Sequence, residues 1–228
     1  MLFWIASAVG LAISYLFGSM PTGYLAGRLL KGIDIREHGS KSVGATNVLR
    51  TLGKWPALAV FLIDVLKGAG AIVFALWFYP FLYASPFIAP PAAFDLPTSL
   101  PWAVSLAGLA ALLGHSRSIW LGFVGGKSVA TGLGLLLAMA WPVGMGGLAA
   151  FAAVLIVFRI VSLGSIAAAL TAIALICGLE QPLAYRLLVI AGGIYVIVRH
   201  RANIQRLLAG TEPRLGKTGM DPKTESQI

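Results

Sequence analysis

Three polar clusters of this sequence contain the residue types that bind phosphate groups. The first cluster, residues 39–50, joins a Gly/Ser-rich turn to a segment in which Asn47 and Arg50 lie three residues apart, on one side of a helical turn. Small residues let backbone N–H groups approach an anion, and a guanidinium fork binds its oxygens. The first cluster therefore indicates an anion site, although ordinary cytoplasmic turns have a similar composition.

The second cluster, residues 115–131, contains a Gly-Gly-Lys-Ser sequence at 125–128, which we call the glycine loop. An apolar helix follows it directly, which is how a phosphate site at a helix N-terminus is usually built. It is not a Walker A motif, because that motif needs glycine where this chain has Leu121, and no strand precedes the loop. An ATPase is therefore disfavoured. Since the neighbouring apolar segments are short, we expect the loop to dip into the membrane and line a cavity.

The third cluster, residues 200–212, follows the last apolar segment. His200 and Asn203 share a helical face and are an uncommon pair beside a membrane, so we interpret them as functional. Basic residues just beyond a final span usually anchor the topology, and we give this interpretation to Arg199 and Arg201.

Asp64 and Lys67 form an ionisable pair inside an apolar segment. Such a pair is costly at membrane depth and tends to mark a cavity or pathway, but mutual neutralisation explains it equally well. We expect both residues to support the site. The other supporting residues are polar and lie in or beside the clusters: Thr46, Ser162, Arg206 and Glu212.

Membrane helices must position these clusters. Of the 228 residues 58% are hydrophobic and 11% charged, against roughly 25% charged in a soluble domain. Hydropathy predicts an all-α, polytopic membrane protein with seven transmembrane helices, at about 3–27, 57–83, 101–114, 129–141, 143–158, 162–179 and 183–198. Four prolines in the stretch 84–100 predict a loop there. We expect one membrane-embedded domain, 1–228, with 211–228 as a flexible cytoplasmic tail.

Lys and Arg lie almost entirely on one side of this arrangement. The segments on one side, 28–54, 115–128, 159–161 and 199–228, hold these residues, whereas the connections on the other side have none, and only Arg186 departs from the pattern. The positive-inside rule predicts an N-terminus outside, a C-terminus in the cytoplasm and all three clusters at the cytoplasmic face. At that face the formal charge of +9 meets anionic lipids and substrates, so it does not indicate nucleic acid.

The residues that could bind a metal are few. The chain has one cysteine, Cys177, and three scattered histidines, none with a second histidine or a carboxylate at ligand spacing. We expect no metal and no cofactor.

Six ordered motifs give the chain a family resemblance over nearly its whole length. They are G-S-x-P-T-G-Y-L-x-G-R at 18–28, G-S-x-x-x-G-A-T-N-V-x-R at 39–50, D-x-x-K-G at 64–68, G-G-K-x-V-A-T at 125–131, R-x-x-S-L-x-S at 159–165 and H-x-x-N-I-x-R-L-x-x-G-x-E at 200–212. Together they resemble the bacterial integral-membrane acyl-phosphate:glycerol-3-phosphate acyltransferases, the PlsY family. The resemblance implies transfer of a fatty acyl group from acyl phosphate to glycerol 3-phosphate, giving lysophosphatidic acid and inorganic phosphate, at the cytoplasmic face of the inner membrane.

The resemblance also implies roles for residues and partners. The residues needed for catalysis fall on Ser40, Arg50, His200 and Asn203. The phosphate-binding residues fall on Gly125, Gly126 and Lys127, to which we add Asn47 and Ser128, while Glu212 is assigned mainly to structure. Lys41 and Ser128 stand where the family usually has glycine. Besides the two substrates and membrane lipids, the enzyme that produces acyl phosphate is a suggested partner.

Direct transfer is the expected mechanism. A serine nucleophile at Ser40 would need an adjacent base, but the nearest histidine, His38, lies on a turn with no orienting carboxylate in the motif. A substrate phosphate, whose second pKa is near 6, can accept the hydroxyl proton at neutral pH. His200 is the alternative base.

Two other classes of protein stay open from the sequence. A membrane transporter of a phosphorylated anion would also need basic groups and broken helices, but near the midplane and usually in two corresponding halves, and no repeat is visible. A structural lipid-binding protein would not need His200 and Asn203.

Overall fold

The computed structural model describes residues 1–92 and 94–216, and within them the chain is helical, as predicted, with no strand. The α-helices are α1 (Leu2–Ser19), α2 (Thr22–Lys31), α3 (Ala45–Thr51), α4 (Lys54–Ala84), α5 (Leu96–Ser116), α6 (Val129–Met139), α7 (Trp141–Phe158), α8 (Val161–Gly178), α9 (Leu183–Arg199) and α10 (Arg201–Leu208). Short 3₁₀ helices occupy Ile35–Glu37 and Ile119–Leu121.

Helix length and composition make this a multi-pass membrane protein. Five segments of the described chain are long and apolar enough to cross a bilayer: α1, α4, Leu96–Leu121, α7 and α8. Helices α9 and α10 pass the same test as a pair bent by 57°. Helix α6 has only 11 residues, which rise about 16 Å against a hydrocarbon layer of about 30 Å. The fourth predicted span is therefore short, as expected.

Two predicted spans differ from the structure. The span expected at 3–27 is two helices, because Pro21 has no amide hydrogen to continue the ladder and α2 begins at Thr22. The third span was expected to be short and begins instead at Leu96. Asp95 accepts a hydrogen bond from the amide of Thr98 and caps the helix, and Pro97 lies in the first turn, where no amide is required.

Close packing of α4 against α6 positions the glycine loop. A side chain at Gly68 would overlap the carbonyl of Thr131, and one at Gly134 would overlap the carbonyl of Val65. The backbones therefore touch at two levels, which small residues allow in membranes. This contact places the beginning of α6, and the loop before it, beside the ionisable pair of α4.

Candidate active site

A single cavity of about 240 Å³ receives side chains from all three polar clusters. Its polar end is lined by Ser40, Thr46, Arg50, Asp64, His115, Lys127, Ser128, Ser162, Ser165, His200, Asn203 and Glu212. Its other end is an apolar groove between α6, α7, α8 and α9, lined by residues such as Leu136, Phe151, Ala172 and Leu188. Segments that are distant in sequence thus form one site with a polar and an apolar part.

The side chain of Asn47 organises the first cluster from behind. It is fully buried, its Oδ1 accepts from the amide of Ser40 at 2.7 Å, and its Nδ2 contacts the carbonyls of Ile35, His38 and Ser42 at 2.7–3.1 Å. Asn47 does not line the cavity. It holds the turn that carries Ser40, so we assign it to loop positioning in place of the phosphate contact expected from sequence.

Lys41 and Ser128, the two departures from the family pattern, both adopt left-handed backbone conformations, with φ of 54° and 61°. Glycine reaches this region without steric cost, whereas other residues pay roughly 1–2 kcal/mol. Ser128 is fully buried, and its hydroxyl donates to the carbonyl of Leu112 at 3.0 Å. Both positions therefore have a backbone conformation that glycine adopts most easily, and at Ser128 a buried hydrogen bond offsets part of the strain.

The glycine loop packs on the last turn of α5. The amide of Gly126 donates to the carbonyl of His115 at 3.2 Å. A side chain at Gly126 would collide with the ring nitrogen Nε2 of His115, and one at Gly125 would collide with the carbonyl of the same residue. The loop then enters α6, whose first amides have no partner within the helix and favour an anion. Lys127 extends from this loop into the cavity.

A carboxylate joins the third cluster to the rest of the site. Glu212 is 8% exposed and accepts hydrogen bonds from Ser162 Oγ at 2.7 Å, Asn203 Nδ2 at 2.6 Å and Arg206 Nε at 2.7 Å. Asn203 Oδ1 in turn accepts from Lys127 Nζ. Burial would raise the pKa of Glu212, but the three donors hold it below its ordinary value. The carboxylate is therefore ionised at neutral pH and fixes the orientation of Asn203.

The ring of His200 is held in one tautomer. Its Nδ1 lies 2.8 Å from the carbonyl of Val196, which can only accept, so Nδ1 carries the proton. The residue is 3% exposed and lines the cavity. Its Nε2 is therefore free to accept a hydrogen bond from a hydroxyl group.

Positive charge exceeds negative charge at the polar end. Asp64 pairs with Lys67 at 2.7 Å and Glu212 with Arg206 at 2.7 Å, whereas Arg50 and Lys127 form no salt bridge within the described residues. Burial lowers the pKa of Lys127 to about 8; Glu212 opposes the shift, and the charges of Arg206, Arg199 and Arg50 add to it. Lys127 is thus still cationic at neutral pH, and a dianion would complete the charge balance.

The contacts of the Asp64–Lys67 pair fit both interpretations of the sequence, mutual neutralisation and a place beside a cavity. Asp64 is neutralised by Lys67 and also accepts from Thr22 Oγ1 at 2.6 Å. It also lines the cavity and lies 3.8 Å from His115 Nδ1, which contacts Thr131 Oγ1 at 3.1 Å. Lys67 points away, donating to the carbonyl of Met20 at 3.0 Å. The pair therefore supports the wall under the glycine loop.

Most predicted site residues converge on the cavity, and a few lie behind it. Those outside its lining are Asn47, Lys67, Gly125, Gly126 and Arg206. The sequence assigned no role to His115 or Ser165, which do line it. His115 begins the second polar cluster and Ser165 ends the motif at 159–165, but only packing shows that they face the cavity. No group of three His, Cys, Asp or Glu side chains in residues 1–92 and 94–216 could hold a metal ion.

A cavity with a cationic polar end and an apolar groove, enclosed by membrane helices, is the arrangement that a membrane-embedded protein needs in order to bind an anionic amphiphile. The family model described as Glycerol-3-phosphate acyltransferase matches residues 8–210, and the chain belongs to that family. It is 72% identical to Glycerol-3-phosphate acyltransferase 2 of Rhizobium johnstonii over 95% of this chain and 99% of the relative. It is 54% identical to the Glycerol-3-phosphate acyltransferase of Acaryochloris marina, over 95% and 96%.

Solved structures of this family share the fold. The crystal structure of PlsY, an integral membrane glycerol 3-phosphate acyltransferase, in its glycerol 3-phosphate form matches with a TM-score of 0.78 and 34% identity, over 92% of this chain and 96% of that one. The lysophosphatidic acid form matches with a TM-score of 0.75, also at 34% identity, over 92% and 95%. These relatives support the acyltransferase interpretation of the sequence and not the transporter alternative.

Proposed function

We propose that this protein transfers a fatty acyl group from acyl phosphate to glycerol 3-phosphate, giving lysophosphatidic acid and inorganic phosphate. The observation that carries the proposal is the single cavity with a cationic polar end and an apolar groove. Both substrates carry phosphate, which the cations can neutralise, and only the acyl donor and the lipid product need the groove. The names of the relatives and the two forms of the PlsY structure support the same reaction.

In the proposed reaction, phosphate groups bind to Arg50, to Lys127 and to the beginning of α6. The hydroxyl oxygen of glycerol 3-phosphate forms a bond to the acyl carbonyl carbon, the bond from that carbon to the phosphate oxygen breaks, and inorganic phosphate leaves. A substrate phosphate dianion accepts the hydroxyl proton, and His200 Nε2, held free by its tautomer, is the alternative acceptor. Asn203, fixed by Glu212, keeps Lys127 at the cavity.

Direct transfer is consistent with the surroundings of Ser40. The hydroxyl of Ser40 makes no hydrogen bond to a histidine or carboxylate in the part of the chain that the structure describes, and His38 is exposed and absent from the cavity lining. A serine nucleophile needs such a base. Acyl phosphate is already activated, so positioning and charge neutralisation can supply the rate enhancement without a covalent enzyme intermediate.

We also propose seven crossings in the bacterial inner membrane, with the N-terminus outside and the site at the cytoplasmic face; α6 would be the fourth. Exposed tryptophans support this placement, because tryptophan concentrates at both membrane surfaces. Trp55 and Trp77 are 69% and 61% exposed on α4, and their separation of 22 residues corresponds to about 33 Å along the helix.

Impermeant maleimide should label Lys41→Cys only in opened cells and Asp95→Cys in intact cells, in a Cys177→Ala background. Labelling of position 41 from outside would contradict the orientation.

The reaction is tested with purified enzyme, glycerol 3-phosphate and either acyl phosphate or acyl-CoA. We expect lysophosphatidic acid and phosphate to appear in equal amounts with acyl phosphate, and no product with acyl-CoA. Product formation from acyl-CoA alone would overturn the proposed donor. The enzyme that produces acyl phosphate stays a proposed partner, because the donor is consumed at the membrane face where that enzyme would deliver it.

A further inference from the structure

Arg199 contacts the glycine loop from the side opposite to α5. It is the last residue of α9 and is half-buried, and its Nη2 donates to the carbonyl oxygens of Gly125 and Gly126 at 3.2 and 3.0 Å. Arg201 has the same charge and lies two residues further along, but it is exposed and makes no hydrogen bond to the loop. The sequence predicts a topology anchor for both residues, but in the structure Arg199 contacts the glycine loop and Arg201 does not.

The two carbonyl contacts determine how the loop presents its backbone. Consecutive glycines have wide conformational freedom, so their peptide planes can rotate unless something holds them. The C=O and N–H groups of a trans peptide point in opposite directions. Holding the carbonyl of Gly126 on Arg199 therefore fixes the direction of the Lys127 amide, and it keeps a carbonyl oxygen from turning towards a bound anion.

Contacts with α5 and α9 thus hold the loop. On α5, the carbonyl of His115 accepts from the amide of Gly126 at 3.2 Å and the carbonyl of Leu112 accepts from the hydroxyl of Ser128 at 3.0 Å. On α9, Arg199 donates to the carbonyls of Gly125 and Gly126. Arg199 itself is absent from the cavity lining. Apart from its charge, which also acts on Lys127, Arg199 can therefore affect a substrate only through the loop.

We propose that Arg199 is a positioning residue for phosphate binding: it fixes the peptide planes of Gly125 and Gly126 so that Lys127 and the amides at the beginning of α6 are presented to a substrate phosphate. The inference rests on the proposed acyl transfer for its assay. A wild-type enzyme without activity would refute the proposed function, whereas the inference depends on differences between variants of an active enzyme.

The test compares wild type, Lys127→Ala, Arg199→Ala, Arg199→Lys and the matched control Arg201→Ala. KM is measured for acyl phosphate and for glycerol 3-phosphate, with inhibition by inorganic phosphate as a direct probe of the loop. We expect Arg199→Ala to raise the KM of the same substrate that Lys127→Ala affects, by about tenfold, and to weaken phosphate inhibition in parallel. Arg199→Lys keeps a cation and one donor group, so its KM should fall between those of wild type and Arg199→Ala. Arg201→Ala should match wild type.

Two results would overturn the proposal. In the first, Arg199→Ala has the same KM for acyl phosphate and the same KM for glycerol 3-phosphate as Arg201→Ala. Arg199 would then be a topology anchor only. The other is a fall in kcat with both KM values and phosphate inhibition unchanged, which would show a structural role alone. If Arg199→Ala does not accumulate in the membrane, Arg199→Lys, which preserves the charge, decides between the same outcomes.

Discussion

Replacing Glu212 with alanine tests whether the third cluster is held together by one buried carboxylate. The substitution removes the acceptor of Ser162 and Asn203, both of which are buried. A buried donor without a partner costs about 1–3 kcal/mol. The Arg206 side chain is 43% exposed, so we assign its lost ion pair less than about 1 kcal/mol. The expected loss in the free energy of unfolding is therefore about 2–7 kcal/mol.

The thermal midpoint of the detergent-solubilised protein provides the measurement. For a chain of this size 1 kcal/mol corresponds to a shift of roughly 2–4 °C, so the midpoint of Glu212→Ala should fall by at least about 4 °C. Specific activity should fall as well, because Asn203 no longer has a fixed orientation towards Lys127. Glu212→Gln retains one acceptor oxygen and should lie between alanine and wild type. Glu180→Ala, at an exposed glutamate, is the matched control. A Glu212→Ala protein as stable and active as Glu180→Ala would refute the reasoning.

Three further predictions concern the substrates. Lys127→Ala and Gly126→Ala should each weaken binding of a phosphate-bearing substrate roughly ten- to hundredfold. The first variant loses a charge-assisted contact worth about 1.5–3 kcal/mol, and in the second the new side chain collides with His115. Inorganic phosphate should compete with that substrate in wild type. Unchanged kinetics in both variants would remove the loop from the site. Since burial lowers the pKa of Lys127 to about 8, KM for that substrate should rise as the pH passes upward through about 8. Lys127→Arg should abolish this rise. An arginine variant with the same pH profile as wild type would contradict the assignment of phosphate binding to Lys127. Finally, radiolabelled acyl phosphate without acceptor should leave no stoichiometric label on acid-quenched enzyme, whereas label that is discharged by glycerol 3-phosphate and lost in Ser40→Ala would establish an acyl-enzyme.

The identity of the site could be predicted from sequence because polar groups are conspicuous in so apolar a chain. His200 and Asn203 have no reason to follow a membrane helix unless they serve a site, and both line the cavity. The direction in which Asn47 points could not be predicted, because it depends on how three carbonyl groups of the turn surround it. The role of Arg199 was hidden for a similar reason, since its partners are backbone atoms of a loop 73 and 74 residues away.

The helices also combine features that depend on local sequence with features that depend on tertiary packing. The beginning of α5 was missed because prolines weigh against a helix, although Asp95 is a favourable cap and Pro97 lies where a proline is tolerated. The break after Ser19 was visible as Pro21 but could not be distinguished from a kink. The contact between α4 and α6 depends on Gly68 and Gly134 meeting across helices, and no local pattern records this.

The hydrogen bonds around Glu212 also determine at what stage of synthesis the site can be completed. A ribosome delivers the first cluster and the glycine loop to the membrane before α9, α10 and Glu212 have been made, because synthesis runs from the N-terminus. Until those later elements dock, Lys127 lacks Asn203, Asn203 lacks its carboxylate, and the loop lacks Arg199. We therefore expect a chain that lacks these later elements to be inactive towards acyl phosphate. Two fragments separated in the connection between α8 and α9 should each be inactive until they recombine in the bilayer.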